Sequence, residues 1–257
     1  MPHIATTTPE SSSDLFDMPS IWREDVVLSL TLSGEERCAG ASTSVAMPQL
    51  VAELVSLLDE MEADTVVDIG GGLGPLSAWL RSHTRHAVFP IEPSGASCRA
   101  ARRLFGVSSA RAVASALPIA SASCGAAILN GVVSLLDDAT VAIDEATRVT
   151  RPGGLVAIAD LVAAGQGTIA TDSNTFRTGE ELAESLERIG CEVIHVACCE
   201  IGIGRWAPVQ QRVHDEIDRR FAGRPGHAAW RRDDDELRSL AERGAIAGAS
   251  LIARCPS

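Results

Sequence analysis

The sequence has no lysine. All 22 basic side chains are arginines, set against 34 acidic ones, which leaves a formal net charge of -12 over 257 residues. A surface with that balance repels a phosphate backbone, so neither nucleic acid nor an anionic membrane is an expected partner. Equally absent is any run near the roughly 18 apolar residues that a membrane span needs, and the opening MPHIATTTPESSSD has no apolar core of a secretory signal. A cytoplasmic location is the expectation. The cysteines (Cys38, Cys98, Cys124, Cys191, Cys198, Cys199, Cys255) form no Cys-x-x-Cys pair and no regular framework, which suits free thiols in a reducing compartment. With 46% hydrophobic and 22% charged residues, the chain can bury one sizeable core.

What is present is an alternation of short apolar runs with amphipathic ones. Residues 1–14, rich in Thr, Ser and Pro, read as a mobile tail, and 15–257 as one domain. Residues 15–47, with Phe16, Ile21, Trp22 and the run VVLSLTL but no clean period, read as an N-terminal cap. A helix opens at Pro48 and puts Leu50, Leu54, Leu57, Leu58 and Met61 on one face. Strands are then expected at 65–70, 86–92, 110–115 (a weak one), 125–130, 155–162, 191–199 and 245–254, with helices at 76–83, 94–106 and 137–150 between them. Thr178 and Glu181 make a capping box ahead of Leu182, Leu186 and Ile189. The charged stretch 201–244, helical around 208–221 and 233–243, reads as a lid-like insertion before the last strand. Strands alternating with helices imply an α/β fold, a Rossmann-like, seven-stranded, mostly parallel sheet with helices on both faces.

The chemistry concentrates where the first strand ends, at Asp68-Ile69-Gly70-Gly71-Gly72-Leu73-Gly74. Glycine there lets the chain turn sharply and lets a ligand approach the main chain at the strand's C-terminal end. A dinucleotide fingerprint beginning at Gly70 would need glycine at position 75, where Pro75 stands. That places a nicotinamide enzyme third among the readings. Glu92 closes the second strand, where a carboxylate can accept hydrogen bonds from two ribose hydroxyls.

The pattern D-x-G-x-G-x-G of Asp68, Gly70, Gly72 and Gly74, followed by Glu92 and by Arg151-Pro152-Gly153-Gly154, resembles the class I S-adenosylmethionine-dependent methyltransferases over most of residues 48–200. The resemblance implies S-adenosylmethionine as cofactor. It implies that Asp68, Gly70, Gly71, Gly72 and Gly74 face the methionine part, that Glu92 and Pro93 line the ribose, and that Ala114 or Ser115 meets the adenine. Val113 stands where the family usually has an acid, a departure on the adenine side. Asn130, after the fourth strand, falls where the family carries a polar residue near the cofactor and the transferred methyl. Ala159-Asp160-Leu161 lacks the adjacent Asp-Asn pair of magnesium-dependent catechol methyltransferases, so no metal is expected.

Methyl transfer is an in-line displacement in which the protein mainly aligns the reactants, and a base is optional. Asn130 and His214 are the catalytic candidates, and Trp22 and Trp206 the candidate substrate contacts from the cap and the insertion, with Asp160, Cys199 and Glu200 at nearby strand ends. The expected activity is methylation of a small-molecule acceptor at O, N or C. The alternative is a protein of the same fold that binds the cofactor or a partner without methylating. A homodimer is compatible with the sequence.

Overall fold

The computed structural model describes residues 12–43, 47–62, 64–201 and 206–257. Its centre is a six-stranded sheet built from β1 (Thr65–Ile69), β2 (Ala87–Ile91), β3 (Cys124–Asn130), β4 (Thr150–Ala163), β7 (Glu192–Cys199) and β8 (Ile246–Arg254). The order across the sheet is β2-β1-β3-β4-β8-β7, parallel except for β8, which runs against both of its neighbours. The central strands are buried on both faces, as their continuous apolar runs require. One face is covered by α6 (Thr140–Val149) and α7 (Gly179–Arg188), through residues such as Ile143, Val149, Leu182 and Leu186. The other is covered by α3 (Met47–Asp59) and α4 (Pro75–His83), through Leu54, Leu58, Leu76 and Leu80. The capping box forms as expected: Glu181 N–H donates to Thr178 Oγ1 at 3.1 Å, and Thr178 N–H donates to the Glu181 carboxylate at 2.7 Å.

The seventh strand, expected at 110–115, is reduced to a single parallel bridge between Ile91 and Ala110. The end of β2 explains it. Ala110 takes the Pro90 carbonyl and the Glu92 N–H at 3.0 Å. Residues 111–115 run beyond this bridge, where a longer parallel ladder would need the Ser94 N–H; that group donates to the Glu92 carboxylate at 2.8 Å, and the chain enters a helix at Gly95.

The segment read as a cap without a period is two helices, α1 (Ser12–Ser29) and α2 (Gly34–Ala41). Residues 1–11 of the expected tail lie outside the described residues, and 12–14 are already helical. The insertion supplies α8 (Ala207–Phe221) and α9 (His227–Glu242), with 202–205 outside the described residues. Cap and insertion pack on each other and on α5 (Gly95–Phe105) around Trp22, Val26, Leu104, Val213 and Ile217. A small hairpin, β5 (Ile169–Ala170) and β6 (Thr175–Phe176), leaves β4 on the same side.

Candidate functional site

A cavity of about 850 Å³ opens at the C-terminal ends of β1, β2, β3 and β4. Its floor is the glycine loop. Gly70 and Gly71 both donate to the Ile91 carbonyl, at 2.8 and 3.0 Å, which tucks the loop against β2. Gly70 has φ +71°, and a Cβ there would collide with Val132 Cγ2. Gly74 has φ +83° and lies where a Cβ would come 3.0 Å from Ala101 on α5. Pro75, which removed the dinucleotide fingerprint, starts α4 at a position where no N–H is missed.

Two carboxylates hold this floor. Asp68 is buried and accepts a 2.7 Å bond from Ser77 Oγ; burial pushes its carboxyl up to about 6, against the Ser77 bond and with a further push from Glu92. Glu92 accepts from Gly72 N–H at 3.0 Å and Ser94 N–H at 2.8 Å, so it ties the loop to the start of α5 while bordering the cavity. Burial raises its carboxyl, and those two bonds oppose the rise. Asn130 ends β3 and Asp160 lies on neighbouring β4, one residue past its last pairing with β3, both on the cavity wall. Asp160 is buried and accepts from Ser134 Oγ at 2.6 Å, Ser134 N–H at 3.1 Å and Leu161 N–H at 2.7 Å, which holds the turn after β3.

The residues expected around the cofactor are thus only partly gathered. Asp68, Gly70, Gly71, Gly72, Glu92 and Asn130 line the cavity; Gly74 stands behind it, shaping the turn. Pro93, Ala114 and Ser115 are not among its lining residues: the Pro93 carbonyl accepts from Arg111 at 3.2 and 3.3 Å, Ala114 packs on the core, and Ser115 is exposed. Among the described residues, no group of three or more His, Cys, Asp or Glu side chains could hold a metal ion.

On the acceptor side the geometry departs from the sequence reading. Trp22 is 2% exposed and stacks on Phe221 at 5.3 Å between centroids, inside the cap's own core and away from the cavity wall. Trp206 stands at the start of α8 and is not among the lining residues. His214 has both ring nitrogens engaged, Nε2 by Arg23 at 2.7 Å and Nδ1 by Asp234 at 3.2 Å, and it too is absent from the wall. The aromatic side chain that does line the cavity is Trp230, on α9, together with Arg232 and Asp233. The hairpin turn Thr171–Asn174 adjoins α9 on the rim, with Ser173 Oγ bonded to Asp233 at 3.0 Å. Sequence reasoning missed this turn, although its Thr-Asp-Ser-Asn composition is a turn signal.

Residues 67–158, which carry the loop, Glu92 and Asn130, match the family model described as a methyltransferase domain. Similar solved structures include a [4+2]-cyclase, SpnF, at 21% identity and TM-score 0.64, covering 81% of this chain and 82% of that one. A geranyl diphosphate C-methyltransferase from Streptomyces coelicolor A3(2) matches at 13% identity and TM-score 0.57, over 98% and 99% of the two chains. The phosphoethanolamine N-methyltransferase 2 of Haemonchus contortus, solved with S-adenosyl-L-methionine, matches at 15% identity and TM-score 0.70, over 99% of this chain and 62% of that one. The fold is therefore that of the class I S-adenosylmethionine-dependent methyltransferases. Among the described residues, no helix is long and apolar enough to cross a membrane.

Proposed function

We propose that this protein binds S-adenosylmethionine on the glycine loop and methylates a small, unphosphorylated acceptor held between the loop and α9. The observation that carries the reading is the cavity itself, which joins the main chain of Gly70–Gly72 and the Glu92 carboxylate to a wall supplied by the cap and the insertion. The fit is physical. A Cβ at Gly72 would have only the Gly70 carbonyl oxygen near it, at 4.0 Å, so the loop leaves room for a ligand against its backbone. Glu92 already accepts two N–H bonds and can accept from ribose hydroxyls in the same plane. The cofactor, when bound, supplies an electrophilic methyl on a sulfonium.

The chain's own residues have three tasks. Asp68 and the loop orient the methionine end, and Glu92 grips the sugar. Asn130, at the β3 end, orients the acceptor atom. His214 is not offered as a base, because the lone pair a base would use accepts from Arg23. The acceptor class follows from charge. Six carboxylates (Asp68, Glu92, Asp137, Asp160, Asp172, Asp233) line the cavity against one guanidinium, Arg232, which disfavours a phosphate and suits an amine or an uncharged polar acceptor facing Trp230.

The test pairs calorimetry of S-adenosylmethionine binding with labelled methyl transfer to panels of amine, phenol and phosphorylated acceptors. Saturable cofactor binding with transfer to an unphosphorylated compound is expected. A preference for phosphorylated acceptors refutes the acceptor class, and absence of cofactor binding refutes the whole reading. The second reading, a non-methylating catalyst or binding protein, is favoured by the likeness to the SpnF cyclase and by Val113, 50% exposed where an adenine-side acid would stand. Cofactor binding without transfer to any acceptor would favour it.

A further inference from the structure

Two of the cysteines face each other in the core and take no part in the cavity. Cys191 stands just before β7 and Cys255 just after β8, and both are buried in the same apolar cluster as Leu182 and Leu186 of α7. The antiparallel register pairs Glu192 with Arg254, so one further step sets Cys191 opposite Cys255, with both side chains on one face of the sheet. The main chain fixes how close they come. Cys255 turns its polar groups toward β4: its N–H donates to the Gly154 carbonyl at 2.8 Å, and its carbonyl accepts from Gly153 N–H at 3.2 Å. The Cys191 N–H donates to the Leu186 carbonyl at 3.1 Å. The two residues thus form a narrow pair without a ladder bond between them, the kind whose Cα atoms lie about 4.5 Å apart. That spacing is within the roughly 4.4–6.8 Å over which a disulfide closes without moving the backbone. The thiols already sense each other: burial, and then the neighbouring Cys191, push the Cys255 thiol up to about 12. The remaining cysteines lie elsewhere, Cys38 on α2, Cys98 on α5, Cys124 on β3, and the consecutive Cys198 and Cys199 on β7.

We propose that Cys191 and Cys255 are a redox pair, which a small disulfide such as glutathione disulfide converts into a cross-strand bond clasping β7 to β8. The chemistry is two successive exchanges. One cysteine thiolate attacks the sulfur–sulfur bond of the oxidant, forms a mixed disulfide and expels one small thiolate; the second cysteine attacks that mixed disulfide and expels the other. The protein gives up two protons and two electrons, and the oxidant leaves as two thiols. Access comes from the end of the ladder, where Pro256 and Ser257 are exposed. A thiol held near 12 stays protonated at neutral pH, so Cys255 is unreactive until that end opens. The consequence reaches the cavity. The chain between the two cysteines contains α8 and α9, and α9 brings Trp230 and Asp233 to the wall. A bond from 191 to 255 closes this whole stretch into a loop, which restricts the unfolded chain and raises the folding equilibrium constant by roughly a thousandfold. The inference stands independently of which reaction the cavity serves.

The test incubates the full reduced chain with glutathione disulfide in urea just below the unfolding midpoint, where strand ends open, then alkylates it and digests it without reductant. Mass spectrometry is expected to find one linked peptide pair, joined through Cys191 and Cys255. Both thiols still free, glutathione left on either without the link, or a link from either to Cys198 or Cys199 overturns the proposal. With the oxidant removed, urea unfolding should show the folding constant of the linked protein roughly a thousandfold above that of the reduced one, and dithiothreitol should reverse the change. Equal midpoints for the two forms defeat the clasp. Cys191→Ala and Cys255→Ala should each abolish the shift, whereas a protein carrying both Cys198→Ala and Cys199→Ala should keep it. Should either single variant fold poorly, the mapped linkage and the midpoint shift of the unmodified protein decide by themselves.

Discussion

The two halves of the cavity are built by different rules. The floor is main chain, held by strand ends and two carboxylates that belong to consecutive βα units, and every part of it lies within residues 68–94. The wall is side chains on α1 and α9 and in a hairpin turn, drawn from segments about 200 residues apart and joined by Arg23, His214 and Asp234. A floor of backbone tolerates almost no change because its geometry is the site, whereas a wall of side chains can be re-cut while the floor stays intact.

Three substitutions sharpen or break that contrast. The largest effect is expected of Gly70→Ala, where a positive φ and a collision with Val132 together cost about 3 kcal/mol or more. Thermal unfolding and calorimetry should show a lower Tm and no measurable S-adenosylmethionine binding; unchanged affinity would mean that the loop is not the rigid floor described. Next is Asp68→Asn. The folded protein keeps the Asp68 proton up to about pH 6, whereas an unfolded aspartate releases it near pH 4, so the native state binds more protons between those values and loses stability as pH rises through them. An asparagine, which can still accept from Ser77, should therefore stabilise the protein by about 2 kcal/mol at pH 8 and by nothing at pH 3, while weakening cofactor binding. Urea unfolding at the two pH values checks it, and equal effects at both would remove the burial argument. The smallest effect belongs to the wall: Asp233→Ala frees the hairpin turn from an exposed bond worth about 1 kcal/mol, raising the acceptor KM about fivefold with the cofactor Kd unchanged. A matching loss of cofactor affinity would show the halves to be one unit.

The same contrast sets how much was legible in the sequence. The glycine loop, Glu92, Asn130 and the Thr178 capping box are local patterns, each fixed by residues a few positions apart, and all four form where expected. The weak third strand failed for a reason on its neighbour, since the loss of the Ser94 N–H to the Glu92 carboxylate and the turn into α5 at Gly95 are visible only once β2 is placed beside it. In α1, burial runs against polarity. Arg23 and Glu24 are buried while Ile21 and Leu28 are more than 40% exposed, so no helical period survives in the sequence. In the sequence, Trp22 reads as a ligand contact because an aromatic within a cap suggests one; its ring packs on Phe221, and Trp230 stands at the cavity instead. The His214 assignment fails similarly, since only the fold reveals that a buried arginine occupies its free nitrogen.

The separation of Arg23 from His214 along the chain has a consequence for how the protein comes into being. A ribosome delivers the first helix long before α8 exists, and at about 5 to 20 residues per second that interval lasts on the order of ten seconds or more. During it, Trp22, Val26 and a guanidinium with no imidazole to meet must wait beside a nascent sheet, open to whatever holds unfinished chains.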